Sequence, residues 1–341
     1  MPVMTRQPGD LHINRALDAM SMAYIQEQTN FIADTVFPNI PSNKQSDIYW
    51  TWPKGTFFRT DVEPRSPGAE PPRSSWRPDK SNFLCDTHEL AEDIYDEERA
   101  NADSEFELDD TTVQHLTQQH LIYRELKFVS KFFKTGVWGR DLAGVGSGAT
   151  GNQFLRFDVV GSDPITLVQN EVVRMLENTG TEPNTLVITP WVKQVLKNHA
   201  LILDRYKATG VATALGVQGT AGLGDKVWLA IFAELFGVAR VLEAKAVWNS
   251  ANEQNDASPS MGFIFPKGML LTYAAPNPGR KIPSAGYTFS WRGYLGGPAK
   301  GIRFIKGRND IRRADTIVAE QSFEQKVTAS DLGVFFSAVV A

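Results

Sequence analysis

The sharpest pattern of apolar and polar positions lies in residues 97–139. Val113, Leu116, Tyr123, Leu126, Val129 and Phe133 recur at three- to four-residue steps, while Gln114, Gln118, Gln119, Glu125 and Lys131 take much of the remaining surface. That period predicts an amphipathic helix. Asn101, Asp103 or Ser104 supplies an N-cap oxygen. Glu105, Glu107, Asp109 and Asp110 set negative charge against the positive end of the helix dipole. No Pro or Gly interrupts residues 103–135, and Gly136 is placed to close the helix. At ~1.5 Å per residue the rod spans roughly 45 Å. A helix of that length acts as a strut, with one side packed and the other facing water or another subunit.

Residues 1–45 predict an extended arm with one short helix. Its rhythm is Leu17, Met20, Tyr24, Phe31 and Ile32, stopped at Pro38 and Pro41. Such a helix is too short to stand alone and must dock elsewhere. Two strand-like runs follow, SDIYWTWPKGTFF and NFLCDTHEL, joined by a stretch that carries Pro64, Pro67, Pro71, Pro72 and Pro78. They predict an extended hairpin with little core of its own, suited to lie as a strap across a neighbour. Proline in its tip lowers the entropy of the free loop and blocks edge pairing.

Beyond the glycine-rich GVGSGATGNQF, residues 163–178 predict a helix with Asp163 as cap and Pro164 at its first position. TLVIT predicts a short buried strand, 190–198 and 226–237 helices, 238–248 a strand, and MGFIFPKGMLLTYAA strands around a turn. This order describes a mixed lobe over about 155–280. From 281 onward AGYTFSWRG, KGIRFIKGR, TIVAEQSFEQKVTA and GVFFSAVVA predict strands of a sheet that packs against the rod.

The chain has 341 residues, enough for two or three lobes, and a net charge of −4. That balance gives no electrostatic case for wrapping nucleic acid. The sole cysteine, Cys85, rules out an intrachain disulfide and fits a reducing compartment. No apolar run is long enough to span a membrane, and the opening MPVMTRQPGDLH lacks the order of a signal peptide. Eight tryptophans and twenty phenylalanines, several in Pro/Gly-rich stretches, call for cover on another lobe or chain. Acids crowd residues 86–110, just after the basic groups Arg59, Arg65, Arg73, Arg77 and Lys80. This ordering predicts that the basic tip of one subunit meets the acidic base of another, set against a plain solvated charged face.

Signs of catalysis are weak. The glycines at 146, 148 and 151 match G-x-G-x-x-G, but the motif follows a helix end and precedes an extended segment, the wrong context for a dinucleotide. GVQGTAGLG lacks the Gly-Lys-Ser/Thr end of a phosphate loop. His115 and His120 lie five apart, on different helix faces, and Cys85 with His88 is half a zinc site. No catalytic, cofactor or metal site is predicted.

The segments IADTVFPNIPSNKQSDIYWTWPKG (32–55), DEERANADSEFELDDTTVQHLTQQHLIYRELKFVSKFFKTGVWG (96–139), NTLVITPWVKQVLKNHALILDRYK (184–207), AELFGVARVLEAKAVWNSA (233–251) and GYTFSWRG (286–293) resemble, in order and wording, tailed-phage major capsid proteins of the HK97-type fold. The resemblance covers most of the chain and implies an α+β fold. Its parts would be an N-terminal arm (1–45), an extended E-loop hairpin (46–95), a P domain with a spine helix (96–155), an axial A domain (156–290) and return strands of the P domain (291–341). It implies a protein of the virion, assembled in the host bacterial cytoplasm into hexamers and pentamers of an icosahedral head around double-stranded DNA, which it touches non-specifically. A separate scaffolding protein, a portal and a decoration protein are implied partners. Expected intersubunit contacts are Trp50, Trp52, Phe57, Phe58 and Trp76 as apolar anchors. Arg59, Arg65, Arg73 and Arg77 would face Glu92, Asp93, Glu97 or Asp103. An encapsulin-like shell around protein cargo is the alternative of the same fold. An enzyme built on the glycine loops and a decoration or tail protein are the others.

Overall fold

The computed structural model describes residues 25–102, 108–208, 224–251, 258–279, 282–295 and 301–341. The chain opens with a 3-10 turn (Gln28–Asn30), then α1 (Ala33–Val36) and β1 (Asn39–Ser42). A ribbon of β2 (Ser46–Thr51) and β3 (Asp79–Leu84) follows, with the short α2 (Lys54–Phe57) in its connection. β4 (Asp86–Tyr95), α3 (Asp96–Asn101) and the long α4 (Leu108–Phe132) come next.

α4 runs for 25 residues, ~37 Å at 1.5 Å per residue. The acidic entry is a separate helix, because Ala102 adopts extended backbone (φ −73°, ψ 137°) after α3. Asp103, Ser104, Glu105 and Glu107 lie outside the described residues. At the other end the Trp138 indole N–H donates to the Phe132 carbonyl at 2.7 Å and satisfies a terminal acceptor. Gly136 takes the left-handed conformation (φ 80°) four residues on.

The buried line of α4 differs from the expected stripe. Leu108, Thr112, Leu116, His120, Arg124, Glu125, Phe128 and Phe132 are buried, whereas Val113, Tyr123, Leu126 and Val129 are half-buried. Three of the polar residues at core positions meet partners on neighbouring elements: His120 bonds the Ala319 carbonyl of β14 at 3.0 Å, and Arg124 and Glu125 meet α1.

Two sheets flank this helix. Strands β12 (Gly286–Trp291), β13 (Arg303–Asn309) and β14 (Ala314–Val327) form the first with β1 and β4, in the order β1-β12-β14-β13, and β4 also pairs with β14. β1 runs parallel to β12, with Asn39 opposite Thr288. The helix α9 (Arg292–Leu295) follows β12. The first half of α4 packs on this sheet through Leu108 and Leu116 against Ile94, Ile317 and Ala319, as the rod-on-sheet expectation required.

The second sheet takes β5 (Arg140–Val145), β6 (Gln153–Leu155), β7 (Thr185–Ile188), β8 (Arg240–Glu243), β11 (Met269–Thr272) and β15 (Gly333–Ser337) in the order β6-β5-β15-β11-β7-β8. Every residue of β7 and β11 is buried. The helices α5 (Pro164–Thr179), α6 (Pro190–Asn198) and α8 (Asp225–Phe236) contribute to its core through Ile165, Val168, Val192, Leu196, Phe232 and Phe236, and α7 (Ala200–Ala208) adds Ile202. Asp163 caps α5 by accepting from the N–H groups of Ile165 and Thr166, and Gly180 (φ 65°) ends it. The second half of α4 reaches this layer: Phe128, Phe132 and Phe133 join Phe37, Trp138, Phe265 and Phe335 in one aromatic core.

Strand assignments from sequence needed three revisions. The C-terminal GVFFS joins β11 and β5 in the second sheet and leaves β12–β14 to the first. The 238–248 segment divides into β8 and β9 (Val247–Asn249), with Ala244 and Ala246 fully buried at the bend. The strands of 261–275 do not pair with each other: β10 (Met261–Phe263) pairs with β9, and β11 with β7 and β15. Phe265 separates them because its ring is buried in the aromatic core.

Candidate assembly surface

The β2–β3 ribbon has two faces of different character, as a two-residue period requires. Tyr49 and Phe83 turn inward onto Phe289, and Phe83 stacks on it with centroids 4.2 Å apart. The register sets Ser46 opposite Leu84, Ile48 opposite Asn82 and Trp50 opposite Lys80. Ile48, Trp50 and Leu84 therefore share the other face, where they are 56%, 53% and 50% exposed. The Lys80 ammonium sits 4.9 Å from the Trp50 ring. Sequence reasoning found Trp50 but missed Ile48 and Leu84; their alternation with Tyr49 and Phe83 was the available signal.

Beyond the ribbon, Trp52, Phe57 and Trp76 gather into a small cluster. Trp52 and Trp76 centroids are 4.6 Å apart, and Phe57 is 6.1 Å from each. Phe58 is 67% exposed, and its outer edge lies over Gly180, where an added Cβ would come within 3.1 Å. Lys54 pairs with Asp331 at 2.6 Å. The projection thus carries a small aromatic cluster and touches its own chain just beyond the far end of the ribbon. The tip charges pair locally. Arg59 bonds Asp61 at 2.8 Å, the Ser74 hydroxyl also donates to Asp61, and these bonds hold that carboxyl below its usual range. Arg73 lies 3.6 Å from Glu70, and Arg65 and Arg77 are exposed.

The acidic base is a worked network. Glu92 bonds His115 at 3.0 Å. Asp93 accepts from Thr316 at 2.5 Å and from Arg312 at 3.2 Å. Asp96 pairs with Arg308 at 2.6 Å; Arg99 bridges Asp109 and Asp315, and Lys306 pairs with Asp109. The hydrogen bonds from Arg308 and Arg99 hold the Asp96 and Asp109 carboxyls below their ordinary values. Glu97 is exposed, and Asp103 lies outside the described residues. The cations that meet these acids within the chain come from α3 and the β13–β14 hairpin, where sequence reasoning read KGR as strand and left NDIRRAD unassigned. An arginine from a neighbour would reach Glu92 or Asp93 only by sharing or displacing these partners.

Among the described residues no group of His, Cys, Asp and Glu is placed to hold a metal ion, and no helix is long and apolar enough to cross a membrane. Cys85 is buried, and its burial pushes the thiol up to about 12, so it is inert at neutral pH. Ser162 lies 3.2 Å from His199, but the hydroxyl is buried and donates to the Val159 carbonyl.

No family model matches the chain. It is 23% identical over 340 residues to the major capsid protein of Pseudomonas phage JBD67, covering 96% of this chain and 97% of that one. Its structure is similar to the capsid of Cyanophage P-SCSP1u, with a TM-score of 0.59 and 11% identity over 96% of this chain and 93% of the other. The chain has the HK97-type capsid fold. An SrpI encapsulin from Synechococcus elongatus PCC 7942 matches too, with a TM-score of 0.53 and 10% identity over 99% and 98% of the two chains. The HK97-type fold is therefore common to shells of both kinds. On this HK97-type chain the exposed apolar residues of the ribbon and its tip form one projection, and the charged network forms a second site at the turn of the β13–β14 hairpin.

Proposed function

We propose that this chain is the major capsid protein of a tailed bacteriophage, self-assembling into hexamers and pentamers of an icosahedral head around double-stranded DNA. The observation that carries this reading is the end-to-end match to a phage capsid protein, over 96% of one chain and 97% of the other. The work is mechanical and not catalytic. Residues 1–45 serve as the arm, 46–95 as the E-loop, 96–155 as a P domain with α4 as spine, 156–290 as the A domain, and 291–341 as return strands. Trp50, Trp52, Phe57, Phe58 and Trp76 anchor the E-loop on a neighbouring copy, where Arg65 and Arg77 are free to find acids such as Glu97. Repetition around closed symmetry multiplies these weak contacts. A separate scaffold, a portal and a decoration protein complete the particle in the host cytoplasm.

Electron microscopy of the purified full chain, alone and with its neighbouring phage gene products, tests the reading. Closed shells or capsomers are expected; monomers under every condition would overturn it. The encapsulin-like reading is separated by content: nuclease-protected double-stranded DNA supports a phage head, and shells that hold only protein cargo support the alternative.

A further inference from the structure

The N-terminal segment crosses α4 over a buried group of charges. Glu125 is fully buried and Arg124 is 4% exposed. Asp34 of α1 lies 2.5 Å from the Arg124 guanidinium, and the Ala33 N–H donates to Glu125 Oε1 at 2.7 Å. β14 presents the Phe323 ring, 4.9 Å from the guanidinium, with the His88 imidazole of β4 against that ring. The segment is fastened at two further points by neutral or peripheral bonds. Gln26 exchanges hydrogen bonds with the Val247 backbone at 2.7 and 3.0 Å, and Arg240 donates to the Val36 carbonyl at 3.1 Å.

One guanidinium here faces two carboxyls. With all three ionised, the site would hold a net negative charge; Asp34 keeps 31% of its side chain exposed, so the cost of that charge falls on the fully buried Glu125. Arginine keeps its proton, so the deeper carboxyl, Glu125, is the group that changes state. We propose that Arg124, Glu125 and Asp34 form a proton-controlled latch, in which neutral Glu125 holds residues 25–36 on the long helix and its ionisation loosens that hold. Burial is the largest influence on Glu125 and raises it to about 8, against the Ala33 and Ile32 N–H groups that favour the ionised form. Because the folded-state value lies above that of a free carboxyl, the stabilisation is complete below the ordinary carboxyl range and disappears as pH climbs through about 8. The latch lies within one chain and stands apart from any role in a shell.

Hydrogen exchange on the full chain between pH 6 and 10, corrected for the intrinsic pH dependence of exchange, tests it. Protection of residues 25–36 is expected to fall from pH 6 upward, by up to tenfold per pH unit, and to level off above about pH 8. Strand β7, read in the same spectra, is expected to stay protected. E125Q keeps an oxygen for the Ala33 N–H and removes the proton, so its protection is expected to be flat across the range. Wild-type protection that does not change with pH, or that falls together with β7, overturns the latch. So does an E125Q chain that loses protection as the wild type does.

Discussion

At the scale of single residues, close approach and buried protonation set the sharpest constraints. A Cβ on Gly144 would lie 2.0 Å from the Ala338 carbonyl oxygen, on backbone that cannot rotate away. G144A is therefore expected to cost about 1–3 kcal/mol through overpacking, read as a lower urea midpoint at unchanged slope. His120 offers a different handle. Its Nε2–H donates to the Ala319 carbonyl, while Gln321 donates to its Nδ1 at 2.8 Å and to its own carbonyl at 3.2 Å. A proton on Nδ1 would face an amide that is also a donor. Burial accordingly holds His120 below the ordinary imidazole value, as it does His88 and His199. The unfolded chain then takes up protons first, so stability is expected to fall as pH drops below about 6.5. Glu125 acts in the opposite sense up to about pH 8, so stability is expected to peak near pH 6.5, where the histidine contribution is complete and the Glu125 loss continues. Urea midpoints measured from pH 5 to 9 check the shape, and H120N is expected to flatten the acidic limb. None of this was visible in the sequence, where His115 and His120 differ only by spacing; a histidine's fate depends on which strand meets it.

At the scale of elements, α4 explains both what the sequence disclosed and what it hid. Its existence, its polarity and the acids Asp109 and Asp110 of its first turn were legible because they are local, whereas its start was not, since α3 is a separate helix. Its buried line was not, because the helix serves two layers. Residues 108, 112, 116, 120, 124, 128 and 132 are buried at four-residue steps. Each step overshoots a full turn by about 40°, so the line winds through roughly 240° from the first to the last. The N-terminal half faces the β14 sheet and the C-terminal half faces the aromatic core. A stripe chosen for one constant direction, Val113 to Phe133, averages over both: Leu116 and Phe133 are buried, but Val113, Tyr123, Leu126 and Val129 are half-buried. Strand pairing shows the same division: the existence of β12, β13 and β14 was legible from alternation, but β15 joined a distant sheet through Phe335 and Phe336, a non-local choice. The aromatic core is where the two layers are fastened. Phe132 meets Phe37 at 4.7 Å and stacks near Trp138 at 6.2 Å. F132A is expected to cost about 3–5 kcal/mol. Because the ring joins three elements, the loss should appear as one cooperative shift of the unfolding midpoint by both near- and far-ultraviolet circular dichroism.

At the scale of the whole molecule, stability and exposed apolar surface are in different places. The two sheets and α4 hold the buried cores, while Trp50, Phe57, Phe58 and Trp76 stay more than half exposed on a projection that touches the body through Lys54 and Phe58, just beyond the ribbon. A protein that lived as a monomer would gain by trimming these rings, since exposed aromatic area costs solubility and returns no stability. Their presence on a ribbon with a proline-rich connection fits a surface that is covered only after copies meet. Replacing residues 60–77 by a short Gly-Ser linker separates the two roles. The ribbon strands and both cores remain, so the melting temperature is expected to move by only a few degrees, as a surface loop contributes little to the cooperative unit. Assembly, followed by sedimentation velocity and negative-stain microscopy, is expected to stop at free subunits or small oligomers. W50A in the intact chain should act in the same direction and less completely, because Ile48 and Leu84 keep part of the ribbon face. If the shortened chain melts as the wild type does and still closes shells of normal diameter, the tip has no part in assembly, and the contacts must be sought at the charged turn of the β13–β14 hairpin instead.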